Sequence, residues 1–215
     1  MLPHLLIERS FPTPIGVVNC GLSSNKNEIK ILDNITYDNG KSIMFQTLSH
    51  IIEVITFKSR LPLYNGQSVT DCQGWIWRIT KNKAEKEIIE LHCLLTDIPA
   101  NVQLGGDPGE HLDAISANNN DWMLHIGTED GEIMNARALN DDGMPSRFMD
   151  SLGFSQSFTR VELNGMITDV PELIVGERVH FHYLTAYDKY RERTVNTWLA
   201  VDEFKHKLEN WIGVW

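Results

Sequence analysis

The sequence predicts a single α+β domain, in which a largely antiparallel sheet of several hairpins is combined with one long N-terminal helix and a C-terminal helix. Short segments with alternating apolar residues are separated by polar turns, which is typical of antiparallel strands. Two other segments repeat apolar residues every three or four positions, which is typical of helices. Hydrophobic residues make up 42% of the chain and charged residues 22%, so the composition is that of an ordinary globular protein.

The first two predicted strands cover residues 15–22 and 28–35, and a polar turn joins them into a hairpin. The long N-terminal helix is predicted to follow the turn at residues 38–40 and to end before Pro62 and Gly66. Its buried face would be formed by apolar residues spaced three or four apart, namely Ile43, Met44, Leu48, Ile51, Ile52 and Ile55.

The middle of the chain is predicted to contain a second hairpin and a short helix. Residues 74–80 and 87–96 are expected to pair as antiparallel strands, since the first segment alternates and the second is apolar enough for a central strand. The polar segment that follows holds a helix-start pattern. Asp107 would cap the helix, Pro108 would be its first residue and Glu110 would stand at its third position.

Residues 122–128 and 132–138 flank the sequence Glu-Asp-Gly, which predicts another hairpin with Gly131 in its turn. A turn at residues 140–145 is the best candidate for a weak domain boundary, although the whole chain, 1–215, is expected to form one domain. A short helix is predicted from Pro145 to the region of Gly153.

The C-terminal third is predicted to hold three more strands, at residues 158–164, 177–187 and 194–201. Asp202 is then expected to cap the C-terminal helix, and Gly213 is expected to end it.

The acidic residues are concentrated in one segment. Residues 96–150 contain eleven acidic and two basic side chains, a net charge of −9 out of −10 for the whole chain. A focused negative field attracts a cationic partner and repels nucleic acid phosphates. The segment therefore favours binding to a metal ion or to a basic protein, and it argues against nucleic acid binding.

The main hypothesis from the sequence is a binding protein, rather than an enzyme, that captures a basic protein partner. An immunity-type inhibitor of a toxin such as a nuclease is the sharpest form of this hypothesis, because such toxins hold phosphates with basic surfaces. Trp122 borders the acidic segment and would act as an aromatic anchor. The predicted partner-binding residues are Asp107, Glu110, Asp113, Asp121, Trp122, Glu129 and Asp130.

Two alternatives remain open. His180 and His182 would point to the same face of a strand and could hold a metal ion, as in a metal-dependent hydrolase. No other cofactor is expected. The second alternative is a non-catalytic structural or oligomeric protein whose acidic segment serves only solubility.

Two further patterns lie in the acidic segment itself. The polar loop at residues 97–121 and the turn at 128–132 contain oxygen ligands suited to calcium, but they lack the order of an EF-hand loop. Glu110 and His111, with Asp107 and Asp113 close by, could form an acid/base cluster. A solvated helix start explains the same carboxylates without any chemistry.

The sequence also indicates the cellular compartment of the protein. No apolar run approaches the roughly 20 residues of a membrane-spanning helix, so no membrane association is expected. The three cysteines are odd in number and far apart, and the chain begins without the pattern of a signal peptide. These features predict a cytoplasmic protein with reduced thiols.

Overall fold

The computed structural model describes residues 4–64, 66–153, 156–191 and 195–214. The fold is mostly β, with 50% of residues in strands and 14% in helices, and it contains two large antiparallel sheets. The predicted α+β class is therefore wrong, and so is the long N-terminal helix.

The smaller sheet has five strands. They are β1 (His4–Thr13), β2 (Gly16–Ser24), β7 (Ile89–Thr96), β11 (Thr159–Glu162) and β12 (Gly165–Asp169). Their order across the sheet is β1-β2-β7-β12-β11, and all neighbours are antiparallel.

The larger sheet has eight strands. They are β3 (Lys30–Thr36), β4 (Gly40–Gln46), β5 (His50–Lys58), β6 (Asp71–Lys81), β8 (Gln103–Gly106), β9 (Leu112–Asn118), β10 (Trp122–Glu129) and β13 (Arg178–Lys189). Their order is β3-β4-β5-β6-β13-β10-β9-β8, again with antiparallel neighbours.

The helices are short. They are α1 (Gly131–Leu139), a 3-10 helix (Ser146–Ser151), α2 (Asn196–Val201) and α3 (Lys205–Ile212). A helix that ends at Gly213 is present, but it begins at Lys205 with Phe204 as its N-cap, so the predicted cap at Asp202 is wrong. Gly213 takes the left-handed conformation that ends the helix, with φ of 81°. None of the helices in the described part of the chain has the length and hydropathy that a membrane crossing requires.

The main core lies between the two sheets. Trp75, Trp77 and Ile79 alternate along β6 and pack against buried residues of the smaller sheet. The indole nitrogen of Trp77 contacts the Cys20 sulfur at 3.4 Å, which joins the two layers directly. Because β13 pairs with β6, Phe181 of β13 faces the same core.

The opposite face of the larger sheet is covered by α2 and α3. Leu199, Leu208 and Ile212 of these helices form a second core with sheet residues that include Ile76 and Leu184. Strands β6 and β13 are thus buried on both faces, and the residues of β13 that alternate with Phe181 point toward the helices.

The segment predicted as the long helix forms β4 and β5 instead. Ile51, Ile52 and Ile55 belong to β5, which is buried along most of its length. A strand that is buried on both faces is apolar at nearly every position, so its residues also satisfy a helical spacing.

Two predicted hairpins are wrong in their partners. The strands predicted at residues 15–22 and 28–35 lie in different sheets, because β2 pairs with β1 and β7 while β3 pairs with β4. The segments at 74–80 and 87–96 are likewise strands of different sheets. The connection between them crosses from one layer to the other rather than forming a hairpin turn.

Three further predictions are wrong in the type of element. Residues 107–111 form a loop between β8 and β9 instead of starting a helix, and residues 132–138 lie in α1 instead of a strand. The strand predicted at 194–201 is largely helix α2, while its first residue, Thr194, lies outside the described residues.

Candidate functional site

The predicted partner-binding residues are divided between the two ends of the β9–β10 hairpin. Glu129 pairs with Leu112 at one end, whereas Asp121 and Trp122 border the turn at the other end. A seven-residue strand such as β9 spans about 20 Å. Asp121 and Trp122 are therefore too far from the remaining predicted residues to share one compact contact patch with them.

Four of the predicted carboxylates do come together at the Leu112 end, and two more join them. Glu132 lies in the first turn of α1, and Asp202 directly follows α2. We call this surface the acidic end. Its carboxylates are Asp107, Glu110, Asp113, Asp130, Glu132 and Asp202, and His111 lies among them.

Strand pairing and a helix cap fix the acidic end in place. The amide of Asp107 donates to the carbonyl of Ala114 at 2.9 Å, which closes the β8–β9 loop. The amide of Asp130 donates to the carbonyl of His111 at 3.3 Å, which joins that loop to the start of α1. Asp130 also caps α1, since its Oδ1 atom accepts from the amide of Ile133 at 2.9 Å.

The acidic end lacks basic partners. Among the described residues, none of its six carboxylates forms an ion pair with lysine or arginine. Burial and the nearby Asp130 raise the pKa of Asp113 to about 6. Burial also raises the pKa of Asp202, against the opposing effect of His111 and Lys207. The negative charge of Asp130 therefore acts on both Asp113 and Asp202, and at Asp202 it is partly offset by His111 and Lys207.

Within the part of the chain that the structure describes, His125 is the titratable side chain bonded to Asp107, and it does not neutralise the carboxylate. Nε2 of His125 lies 2.8 Å from Oδ2 of Asp107, and Nδ1 of His125 lies 2.8 Å from the Thr197 hydroxyl. His125 is buried, and this burial lowers its pKa despite the neighbouring carboxylate. The imidazole is therefore neutral near pH 7 and serves as a hydrogen-bond partner.

Aromatic side chains border the acidic end. The half-buried Trp198 donates through Nε1 to the carbonyl of Asp107 at 3.1 Å. Its ring lies so close to the loop that a Cβ atom at Gly109 would approach Cζ2 to 2.5 Å. The ring centre of Phe204 lies 6.3 Å from that of His111, and the Phe204 ring also contacts Lys207 and His206.

Trp122, the anchor predicted from the sequence, is already covered by this chain. The ammonium group of Lys189 lies 3.7 Å from the centre of the Trp122 ring, and Tyr187 contacts the ring edge-on. A cation over the ring face occupies the surface that a partner would use. Trp198 is better placed than Trp122 to act beside the carboxylates.

Glu129 lies in the interior and not on a binding surface. Its carboxylate accepts a hydrogen bond from Arg137, and both side chains are buried. Burial alone would raise the pKa of Glu129, but Arg137, His182 and His180 together lower it to about 2. Glu129 therefore supports the base of α1, and its charge is balanced locally.

His180 and His182 point toward the helices, and both are about 1% exposed. Nε2 of His180 lies 3.4 Å from Nδ1 of His182, and Nδ1 of His180 lies 3.5 Å from the Glu209 carboxylate. Burial is the main cause that lowers the pKa of His180 to about 3. The second nitrogen of His182 contacts the carbonyl of Glu203 at 3.1 Å. The pair thereby connects β13 to α3.

Although Glu209 lies beside His180, the described residues form no group of three ligand atoms within 4.8 Å of one another that includes this histidine pair. The adjacent cleft of about 770 Å³ has a balanced charge. Its charged lining residues are Arg78, Arg147, Arg178, Lys205, Asp141, Asp142, Glu177 and Glu209. The cleft therefore lacks the uncompensated charge that distinguishes the acidic end.

The chain matches no protein-family model, and no curated protein or solved structure shows significant similarity to it.

Sequence reasoning missed several residues of the acidic end. The hairpin pattern predicts a strand at Glu132, although the sequence Glu-Ile-Met-Asn-Ala-Arg-Ala after a capping aspartate favours a helix. Asp202 and Trp198 are distant in sequence, and only the packing of α2 beside β10 brings them to this surface. The sequence places His111 beside Glu110, but the helix predicted for these residues does not form.

Proposed function

We propose that the protein binds a basic protein partner through the acidic end. This proposal rests on one observation. Six carboxylates lie together at the acidic end, and among the described residues none of them forms an ion pair with lysine or arginine. Like charges held together raise the free energy of the isolated protein, and a cationic partner relieves that repulsion. The negative field also accelerates the association with such a partner.

The chemistry of the surface favours inhibition of a basic enzyme such as a nuclease toxin. An enzyme that holds phosphates presents lysine and arginine side chains around its active site. Carboxylates on a rigid surface can occupy those side chains and exclude the nucleic acid substrate. Strand pairing and the Asp130 cap hold the acidic end rigid, which reduces the entropy lost on binding.

Trp198 supplies an apolar contact of the kind that such an interface needs. It is half-buried and lies beside Asp107, whereas the ring of Phe204 is already in contact with Lys207 and His206. Aromatic anchors surrounded by polar residues contribute most of the free energy of many protein interfaces. The carboxylates would then determine the partner and the association rate, and the Trp198 ring would slow dissociation.

Affinity capture with three forms of the full chain tests this function. The wild type is compared with the acidic-end triple variant, Asp107→Asn/Glu110→Gln/Asp113→Asn. The control triple variant, Glu28→Gln/Asp33→Asn/Glu85→Gln, loses the same charge at exposed positions outside the acidic end.

The proposal predicts a basic protein that is retained at low salt by the wild type and the control, and that is lost with the acidic-end triple variant. If this protein is a nuclease, its activity should be inhibited by the wild type. Equal retention by all three forms, or no retained basic protein, would contradict the proposal.

A further inference from the structure

Three side chains of the acidic end form a group of metal-ligand type. One imidazole nitrogen of His111 and one carboxylate oxygen from each of Asp130 and Glu132 lie within 4.8 Å of one another. His111 directly precedes β9, and Asp130 directly follows the neighbouring strand β10. The pairing of these two strands therefore determines the separation of the three ligands.

Helix capping explains only part of this group. Asp130 caps α1 through Oδ1, and Glu132 in the first turn has a favourable interaction with the helix dipole. His111 has no such role. Its Nδ1 atom is buried and has no hydrogen-bond partner among the described residues. Buried polar atoms in folded proteins are normally satisfied, so an unpartnered nitrogen in a half-buried imidazole ring that lies beside two carboxylates points to a missing ligand.

The dimensions of the group suit a metal ion after a small adjustment. Zinc binds nitrogen and oxygen ligands at about 2.0–2.1 Å, which places neighbouring tetrahedral ligand atoms roughly 3.4 Å apart. The three atoms lie at most 4.8 Å apart, so they need to approach one another by no more than about 1.4 Å. Glu132 is exposed and can change its rotamer, whereas the Asp130 cap leaves Oδ2 as a further oxygen for the ion.

We propose that His111, Asp130 and Glu132 bind one divalent transition-metal ion, for which zinc is the best fit, with water completing the coordination. An imidazole nitrogen with two carboxylates is a ligand set that zinc accepts readily. Calcium and magnesium prefer oxygen ligands alone, so the turn at residues 128–132, considered above for calcium, is better suited to zinc once His111 is included.

The metal site does not depend on the proposed protein partner, because all three protein ligands belong to this chain. A bound divalent cation would also reduce the repulsion among the neighbouring carboxylates Asp113 and Asp202.

Calorimetric titration of the chelator-treated full chain with zinc chloride tests the site, and a parallel titration uses calcium chloride. The informative variant is Glu132→Gln, which changes an exposed side chain and keeps its size. The matched control is Glu110→Gln, which removes the same charge next to His111 but outside the ligand group. His111→Ala is a second variant, and its thermal unfolding is measured to verify that it folds.

We expect one zinc ion per wild-type chain, with weaker or no binding of calcium. Glu132→Gln should weaken zinc binding by at least about tenfold, as should His111→Ala, while Glu110→Gln should change it by less than about threefold. The absence of saturable zinc binding would overturn the proposal. So would equal losses in Glu132→Gln and Glu110→Gln, because diffuse attraction rather than coordination would then explain the binding. Neither result bears on partner capture.

Discussion

The amide of Asp130 donates a hydrogen bond to the carbonyl oxygen of His111 at 3.3 Å, across the open end of the β9–β10 hairpin. This contact joins the loop before β9 to the start of helix α1. The carboxylates on both segments are thereby held on one surface, although they are about 20 residues apart in the chain. The acidic end therefore forms because strand pairing brings two segments together, and the local sequence of either segment alone does not produce it.

The ion pair of Arg137 and Glu129 should be essential for stability. Arg137 also donates to the carbonyl oxygens of Asp142, Gly143 and His180. Arg137→Met would leave the Glu129 carboxylate buried without its charge partner, so the free energy of unfolding should fall by about 3–5 kcal/mol. Urea denaturation measures this change.

Arg160→Met is the matched control for Arg137→Met. Arg160 pairs with Asp169 and Glu90, and the side chains of Arg160 and Asp169 are about half accessible to solvent while that of Glu90 is partly accessible. Its loss should cost less than about 1 kcal/mol. Similar effects of the two substitutions would mean that the buried pair does not stabilise the base of α1 as described.

His180 should contribute to the pH dependence of stability. Burial, Arg137 and His182 lower its pKa to about 3 against the opposing effect of Glu209, whereas the ordinary value is 6.5. The unfolded chain therefore binds a proton that the folded protein does not bind between these values. The contribution of His180 to the free energy of unfolding is therefore fully present above pH 6.5 and is lost as the pH falls toward 3.

Between about pH 6.5 and 4.5, this single group should reduce the free energy of unfolding by about 2 kcal/mol. Urea denaturation of His180→Asn should show a shallower decline over that range than the wild type. The exposed His206 is the control, and His206→Asn should retain the wild-type slope. An unchanged slope in His180→Asn would contradict the assigned role of burial.

The approach of Trp198 to the β8–β9 loop should make Gly109 sensitive to substitution. A Cβ atom there would lie 2.5 Å from Cζ2 of Trp198 and 3.3 Å from Cβ of Leu112. Gly109→Ala should therefore lower stability by about 1–3 kcal/mol and change the tryptophan fluorescence. In Gly106→Ala the added methyl group meets no atom within 4 Å, so this variant should resemble the wild type.

The existence of many strands could be predicted from the sequence, but their pairing could not. Ile51, Ile52 and Ile55 have a helical spacing only because β5 is buried on both faces by the smaller sheet and the C-terminal helices. Burial on both faces is a consequence of tertiary structure, and no local pattern distinguishes it from a buried helix. The predicted pairing of residues 74–80 with residues 87–96 is wrong for a related reason. Strands that follow one another in the sequence, such as β6 and β7, need not belong to the same sheet.

The candidate site could be predicted only in part. The concentration of acidic residues in one segment identified Asp107, Glu110, Asp113 and Asp130. These four residues are also neighbours in the structure, because the pairing of β9 with β10 brings their two segments together. The same concentration of acidic residues included Glu129, since total charge cannot reveal that a carboxylate is buried beside an arginine. It also included Asp121, since net charge carries no information about the length of a hairpin.

The association rate of the protein with its captured partner, measured against ionic strength, tests the central claim most directly. Electrostatic attraction at the acidic end predicts a rate constant that falls steeply with salt for the wild type and the control triple variant. The acidic-end triple variant should associate at least about tenfold more slowly at low salt, with a weaker dependence on salt. Identical rates and salt dependence for all three forms would contradict the claim that the acidic end binds the partner.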